Sequence, residues 1–316
     1  MQKRSLGTTC AVGVLIALCV VVATALTLSG TQSPASAQTG PPKPRVPPGQ
    51  DPGGIAVAVI GAGVDYRRPA IAAQITRDGE GEIIAWDVID DDARPLEAAP
   101  VVGRHVPLHA GTAMVAQLLA EAPRTRLIPL RIPDANPLAL GGALAFVAQT
   151  PARIVVLLTG ADANPQPQSW ALFTGTARRA RHLLIIVTAG YHDGDGKVLA
   201  PQNLGLDNMI VVTAADNEGR IADGAGWGGE RVDIAIAVAP DAVPPPDAHD
   251  RATALANIAG MHLAALAARL AAHAPGLDGP GLKARLLAHA KPLPGMPAKR
   301  MRAGWIENPR QIQNPN

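Results

Sequence analysis

From residue 55 to about residue 300, short and almost purely aliphatic runs alternate with longer helical ones. The β-rich runs are Ile55–Ile60, Glu82–Trp86, Arg126–Ile132, Arg153–Leu158, Leu183–Thr188, Asn208–Ala214 and Val232–Ile236. Strands without polar alternation are covered on both faces, as the strands of a parallel sheet are. Helical runs intervene at Thr112–Ala122, Leu138–Gln149, Trp170–Arg181 and Leu255–Ala274. A chain so patterned steps from strand to parallel strand through helices that cover both sheet faces. The expected fold class is therefore α/β, in three layers, around a mostly parallel sheet of about seven strands. Leu255–Ala274 is apolar almost all round and is expected at the centre as a buried helix. A last helix, near Pro280–Ala290, has Asp278 as its cap candidate and Pro280 in its first turn. There is no internal repeat. Residues 55–300 read as one domain and residues 301–316 as a tail.

The amino-terminal segment is of another kind. Residues 10–28 carry no charge, and Lys3 and Arg4 precede them. Ala35-Ser36-Ala37 has the small-x-small pattern of a signal-peptidase site, yet the apolar run is long enough to span a bilayer. A cleaved signal peptide and an uncleaved anchor both fit. Both leave Lys3 and Arg4 in the cytoplasm and export the rest, so the domain is expected in the periplasm, secreted, or held at the outer face of the inner membrane. Residues 38–54 follow, rich in proline and glycine, and read as an extended semi-rigid linker.

Composition removes several classes of function. The net charge of +2 is carried entirely by Lys3 and Arg4, so no global field draws the domain to nucleic acid or to anionic lipid. Four Trp, two Tyr and two Phe are too few for nucleic-acid stacking platforms. Cys10 and Cys19 both lie in the apolar run, which excludes a thiolate metal site, a disulfide or a catalytic cysteine in the domain.

The first motif is ambiguous by itself. A strand ends in Gly61-Ala62-Gly63, as in a dinucleotide-binding turn, with Asp87 available as the acidic ribose partner. The third glycine of that fingerprint falls on Tyr66.

The same residues also open a longer series. VAVIGAGVDYRRPAI (57–71), IIAWDVIDDDARPLE (83–97), AGTAMVAQLLAEAPRTRLIPLRI (110–132), ARIVVLLTG (152–160), LLIIVTAGYHDG (183–194), the stretch 206–240 and ATALANIAGMHLAALAARLAAHAPGL (252–277) follow one another. In this order they resemble the subtilase family of serine peptidases. The resemblance covers roughly residues 55–295. It implies a subtilisin-like fold, an extended-substrate strand at Leu158, Thr159 and Gly160, and a cleft built from three separate segments. In that family a Ser nucleophile, a His base and an orienting Asp cooperate, and an Asn side chain donates to the oxyanion. Carried over residue by residue, the Asp position is Gly61, the His position Ala110, the Ser position Ala254 and the oxyanion Asn position Tyr191. The frame is kept and the reactive side chains are missing. In subtilisin itself, loss of Ser or His costs about 10⁶ in kcat, and loss of the oxyanion donor a further factor of about 10²–10³. The expectation is a pseudoprotease, with no cofactor, that binds a peptide or partner protein of the cell envelope through this cleft. Gly61, Ala110 and Ala254 should meet near the carboxyl ends of the central strands, with Tyr191 lining the same cleft.

Neighbouring residues supply an alternative, an active serine endopeptidase with relocated groups. Asp65, His109 and Thr253 would then stand in for the missing three. The plainer readings are a structural Asp65, a loop His109 and a helix N-cap at Thr253. Asp90-Asp91-Asp92 reads as a solvated turn, with Ca²⁺ binding as the other possibility. His262 reads as a hydrogen-bonded core histidine. His192, Asp193 and Asp195 fit a glycine-rich turn better than a metal pair. Arg178, Arg179 and Arg181 read as a solvated helix end.

Overall fold

The aliphatic runs become strands in the expected order. They are β1 (Ile55–Gly61), β2 (Trp86–Asp87), β3 (Thr125–Arg131), β4 (Ala152–Leu157), β5 (Leu184–Thr188), β6 (Met209–Ala215) and β7 (Ile234–Ala237). An eighth, β8 (Gly304–Ile306), comes from the segment expected to be a tail. The helices are α1 (Pro69–Ala72), α2 (Ala110–Glu121), α3 (Pro137–Val147), α4 (Ala171–Arg179), α5 (Ala248–His273) and α6 (Gly279–Leu287). The structure is a computed structural model. It describes residues 43–97, 110–133, 136–158, 167–189, 200–226, 232–239, 248–294 and 301–312. The signal or anchor segment, His109, Thr159, Gly160, Tyr191, His192, Asp193 and Asp195 lie outside the described residues.

All eight strands join one sheet in the order β2-β3-β1-β4-β5-β6-β7-β8, and every neighbouring pair is parallel. Side chains alternate across it. Val57 and Val59 face the layer of α2 and α5, whereas Ala56, Ala58 and Ile60 face that of α3 and α4. The fold class is the expected one: α/β, with helices on both faces of a parallel sheet.

Helix α5 is the centre of the first layer. Its stretch Arg251–His273 is apolar and long enough to cross a membrane, but it is mostly buried and serves as a core helix. It packs on α2 and on β1, β4, β5, β6 and β7. Gly260 allows the closest approach, because a Cβ there would stand 3.0 Å from the Thr188 Cγ2 of β5. Asp278 caps α6 as expected, accepting from Gly281 N at 2.9 Å.

Four expectations need correction. The run Glu82–Trp86 contributes only Trp86 to β2. Asp78 Oδ1 accepts from both Glu80 N and Glu82 N, and the resulting turn returns Ile83 against Arg77 in an isolated antiparallel bridge. Helix α5 begins seven residues before Leu255, so Thr253 lies inside it and is not an N-cap. Residues 301–312 are not a free tail: β8 pairs with β7, and Arg310 Nε donates to Glu121 at 2.9 Å. Residues 43–54 are not a free linker either, and the compact unit begins at Lys43. Pro44 O accepts from Tyr66 OH (2.9 Å), Pro47 O from Arg77 Nη2 (2.7 Å), and Asp51 from Arg126 Nη1 (2.7 Å) and Arg77 N (2.8 Å).

The strap is pinned at its start by charge. Asp87 has no exposed surface, and its carboxylate meets Lys43 Nζ at 2.6 Å and Arg131 Nη1 at 2.8 Å. Lys43 also reaches Asp90 (2.6 Å) and Asp92 (3.3 Å). The acidic run is thus neither a bare solvated turn nor an open cation cage, because lysine and arginine side chains already occupy it. A buried carboxylate is tolerated only when paired, and removing one member strands the others. Asp87→Ala should therefore cost about 3–5 kcal/mol of stability in urea unfolding. The control Asp207→Ala, at an exposed pair, should cost less than about 1 kcal/mol. Equal losses would contradict this account of the strap.

Candidate functional site

Gly61, the start of α2 at Ala110 and the Ala254 region of α5 lie toward one end of the sheet. Gly61 closes β1 at its carboxyl end. Helix α2 starts at Ala110, directly above the turn that follows Gly61. A Cβ on Gly111 would come within 2.2 Å of Gly63 O, so only glycine permits this contact. The Asp65 N–H then donates to Thr112 Oγ1 at 2.8 Å. Helix α5 runs antiparallel to the strands. Its far end is held at the amino end of β4, where Arg153 donates to Pro275 O and Leu277 O. Its near end meets the carboxyl end of β5, where Thr188 Oγ1 donates to Asn257 Oδ1 at 3.2 Å. Ala254 lies one turn before Asn257, on that same carboxyl-end side. Open α/β sheets place their ligands there.

The α2 start is anchored by a residue that the sequence reading passed over. Glu97 Oε1 accepts from Gly111 N at 2.8 Å, and Glu97 Oε2 accepts from Thr112 N at 3.2 Å and from the Thr112 hydroxyl. A carboxylate here satisfies orphan N–H groups and opposes the positive end of the helix dipole. Fourteen residues separate Glu97 from Gly111, so no local capping pattern could have revealed it.

The chemistry available at this end is limited. Strand alternation turns position 61 toward the α2 and α5 layer. A Cβ added there would lie 3.2 Å from Leu158 Cβ and 3.4 Å from Leu158 O. Leu158 is thus in tight contact with the first atom of any side chain at position 61. The Leu158 N–H donates to Ile60 O at 2.9 Å, and β4 lies between β1 and β5 rather than at an edge. Pairing with an extended peptide would therefore have to come from Thr159 and Gly160.

Of the proposed stand-in residues, His109 lies outside the described residues, and Asp65 is engaged by its neighbours. The Arg67 guanidinium, 2.7 Å from Asp65, holds the Asp65 carboxyl below the usual carboxylate range, and Arg68 flanks it. Thr253 Oγ1 has no hydrogen-bond partner among the described residues. The dinucleotide reading fails at both of its contacts. The turn at Gly63 is covered by Gly111 and Pro95, since a Cβ on Gly63 would lie 2.5 Å from Pro95 O. Asp87, the ribose candidate, is sealed beneath Lys43 and Arg131.

Other titratable groups serve the frame. His262 is a hydrogen-bonded core histidine, with Nδ1 2.8 Å from the Glu121 carboxylate and Nε2 2.9 Å from Gln117 Nε2. Burial pushes the Glu121 carboxyl up, but His262 and Arg310 outweigh it and hold it below its ordinary value. A cavity of about 410 Å³ lies elsewhere, lined in part by Asp233, Lys283 and Arg302. Lys283 Nζ stands 3.1 Å from Asp233, so that charge is already matched. No group of three or more potential metal ligands occurs among the described residues.

Two outcomes follow from these contacts. Glu97→Ala should lower stability by about 1–2 kcal/mol by freeing the α2 start, and thermal unfolding of the two proteins measures it. An unchanged midpoint would mean that α2 is held otherwise. Glu121, depressed in the folded state, adds stability above its unfolded value of about 4.3, and this is lost as pH falls through the folded value. His262→Ala should raise the folded value toward or above the unfolded one and so shrink this acid loss, and unchanged stability–pH curves would count against the pairing.

No protein-family model matches the chain, and no curated protein matches it by sequence. Solved structures do. A cold-adapted subtilisin-like serine proteinase superposes with a TM-score of 0.61 at 14% identity, over 84% of this chain and 93% of the other. The A-subunit of the AB5 toxin from E. coli gives 0.58 at 18%, over 83% and 93%. The epidermin leader peptide processing serine protease of Staphylococcus aureus gives 0.56 at 13%, over 84% and 76%. At these identities the likeness speaks of architecture, and the chain has the subtilisin-like fold.

Proposed function

We propose that this chain is an exported, non-catalytic subtilisin-like protein that binds a peptide or a partner protein at the carboxyl end of its sheet. The observation that carries the reading is position 61. The fold that resembles a peptidase has glycine where the resemblance calls for an orienting carboxylate, and Leu158 stands 3.2 Å from the first atom of any side chain there. Position 110 is alanine, position 254 is alanine and position 191 is tyrosine. No hydroxyl at 254 can be acylated, no base at 110 can accept its proton, and no amide at 191 can meet an oxyanion. Small residues at buried functional positions are commonly neutral or favourable for stability, so the fold can outlast the chemistry. The binding role draws support from the frame that remains: the carboxyl ends of parallel strands and a segment after Leu158 suited to pairing with an extended chain. Export draws support from residues 1–37, and no nucleic acid is implicated.

The test is covalent labelling. The purified chain should not react with a fluorophosphonate and should not cleave unfolded casein. The combined variant Gly61→Asp, Ala110→His, Ala254→Ser and Tyr191→Asn should gain weak labelling. Labelling of the unaltered chain that disappears in Thr253→Ala would overturn the reading in favour of a relocated nucleophile. Binding is tested by affinity capture from the cell envelope. A partner recovered by the unaltered chain but lost with bulky substitutions at Thr159 and Gly160 supports it, and a partner indifferent to them places binding elsewhere.

A further inference from the structure

Helix α3, PLALGGALAFV, carries no charge over its whole length. It lies with α4 on the sheet face opposite α2 and α5. Leu138, Gly142 and Ala145, at i, i+4 and i+7, share one stripe of it. Gly142 and Ala145 are half-buried, and Leu138 is 73% exposed. Adjacent glycines mark the two flanks of this stripe. On one flank, a Cβ on Gly141 would stand 3.0 Å from Leu172 Cγ, and Leu172 of α4 is itself 41% exposed. On the other, a Cβ on Gly142 would stand 3.9 Å from the Trp86 ring, which also lies 5.6 Å from the ring of Phe146. The apolar surface thus runs from Trp86 across α3 to Leu172.

The charges at its two borders are of opposite sign. Beside Trp86 stands the exposed Asp91, whose carboxylate accepts from Trp86 Nε1 at 3.2 Å. Its neighbour Asp90 is matched by Lys43 and Arg131, but Asp91 has no ion pair among the described residues. One turn along α4 from Leu172 comes Gly175, where a Cβ would lie 3.4 Å from Arg179 Nη1. Arg178 and Arg179 are exposed in the last turn of α4 and have no ion pair among the described residues either.

Contiguous exposed apolar surface marks an interaction site. The two borders select its occupant. A partner of a single sign would be drawn to one border and repelled by the other. A second copy of the chain suffers no such conflict. A two-fold axis along the stripe lays the Asp91 border of each copy over the Arg178 and Arg179 border of the other, so the same attraction is made twice. Residues on the axis then meet their own counterparts, and Gly142, which has no side chain, lets the two helices approach closely.

We propose that the chain pairs with a second copy of itself through this face, with α3 against α3 and Asp91 opposite Arg178 and Arg179. The proposal stands independently of the binding reading above.

The experiment follows the full chain, with Cys10 and Cys19 replaced by serine, held in solution by a mild detergent. Sedimentation should show a dimer that dissociates on dilution. Under mild oxidation Ala145→Cys should form a disulfide-linked dimer at least about fivefold faster than the exposed control Glu218→Cys, because pairing raises the effective concentration of the thiols at 145 alone. Arg178→Glu with Arg179→Glu should weaken the dimer about tenfold. Asp91→Asn keeps an acceptor for Trp86 Nε1. It should weaken the unaltered dimer but strengthen the one carrying the two glutamates, where it removes a repulsion. Thermal unfolding establishes that each variant is folded, and the disulfide readout needs no change of charge. A chain that is monomeric at every concentration overturns the proposal. So does a dimer with equal disulfide rates at 145 and 218 and no response to the charge changes, which would be held by some other surface. An effect of Asp91→Asn in the same direction in both backgrounds overturns the pairing of Asp91 with the two arginines.

Discussion

A helix that is apolar on nearly every side has to be covered on every side, and in this protein that helix is α5. The sheet covers one flank and α2 the other. Burial of its apolar surface stabilises the fold at roughly 25 cal/mol per Å². It therefore fixes where the sheet and α2 stand. The carboxyl-end site depends on it directly: Asn257 ties α5 to Thr188, and Gln117 and Glu121 tie α2 to His262.

The fold was legible in the sequence wherever burial alone decided it. Strands β1, β3, β4, β5 and β6 are covered on both faces, so their aliphatic runs announce them within a residue or so at each end. β2 and β8 escaped for a common reason. Each is two or three residues long and is created by a partner, β3 or β7, rather than by its own pattern. The strap escaped because proline and glycine describe a chain that avoids regular structure, and such a chain can still be bound tightly. Lys43 and Asp51 hold it through side chains whose partners lie 44 and 75 residues away.

The candidate site was legible in another sense. Gly61, Ala110 and Ala254 could be singled out from the sequence as belonging to one end of the sheet, because the resemblance orders the segments that carry them. The residues that shape it could not. Glu97 acts over a gap of fourteen residues, and Leu158 crowds position 61 from a strand that follows nearly a hundred residues later. Thr253 shows the converse. A threonine before an apolar run reads as a cap, but α5 extends a further turn and a half toward the amino terminus, and the hydroxyl falls inside the helix.

The closing strand bears on how such a chain reaches its folded state. β8 supplies the last three residues of the sheet, pairing Gly304, Trp305 and Ile306 with Ile234, Ala235 and Ile236. Arg310 then settles on Glu121 of α2, nearly two hundred positions earlier. A polypeptide made amino end first must hold β7 with a bare edge until Gly304–Ile306 appear. An open parallel edge flanked by aliphatic side chains invites pairing with another chain during that interval. The chain is thus exposed to self-association between the appearance of β7 and that of β8, and Gly304–Ile306 act as the seal.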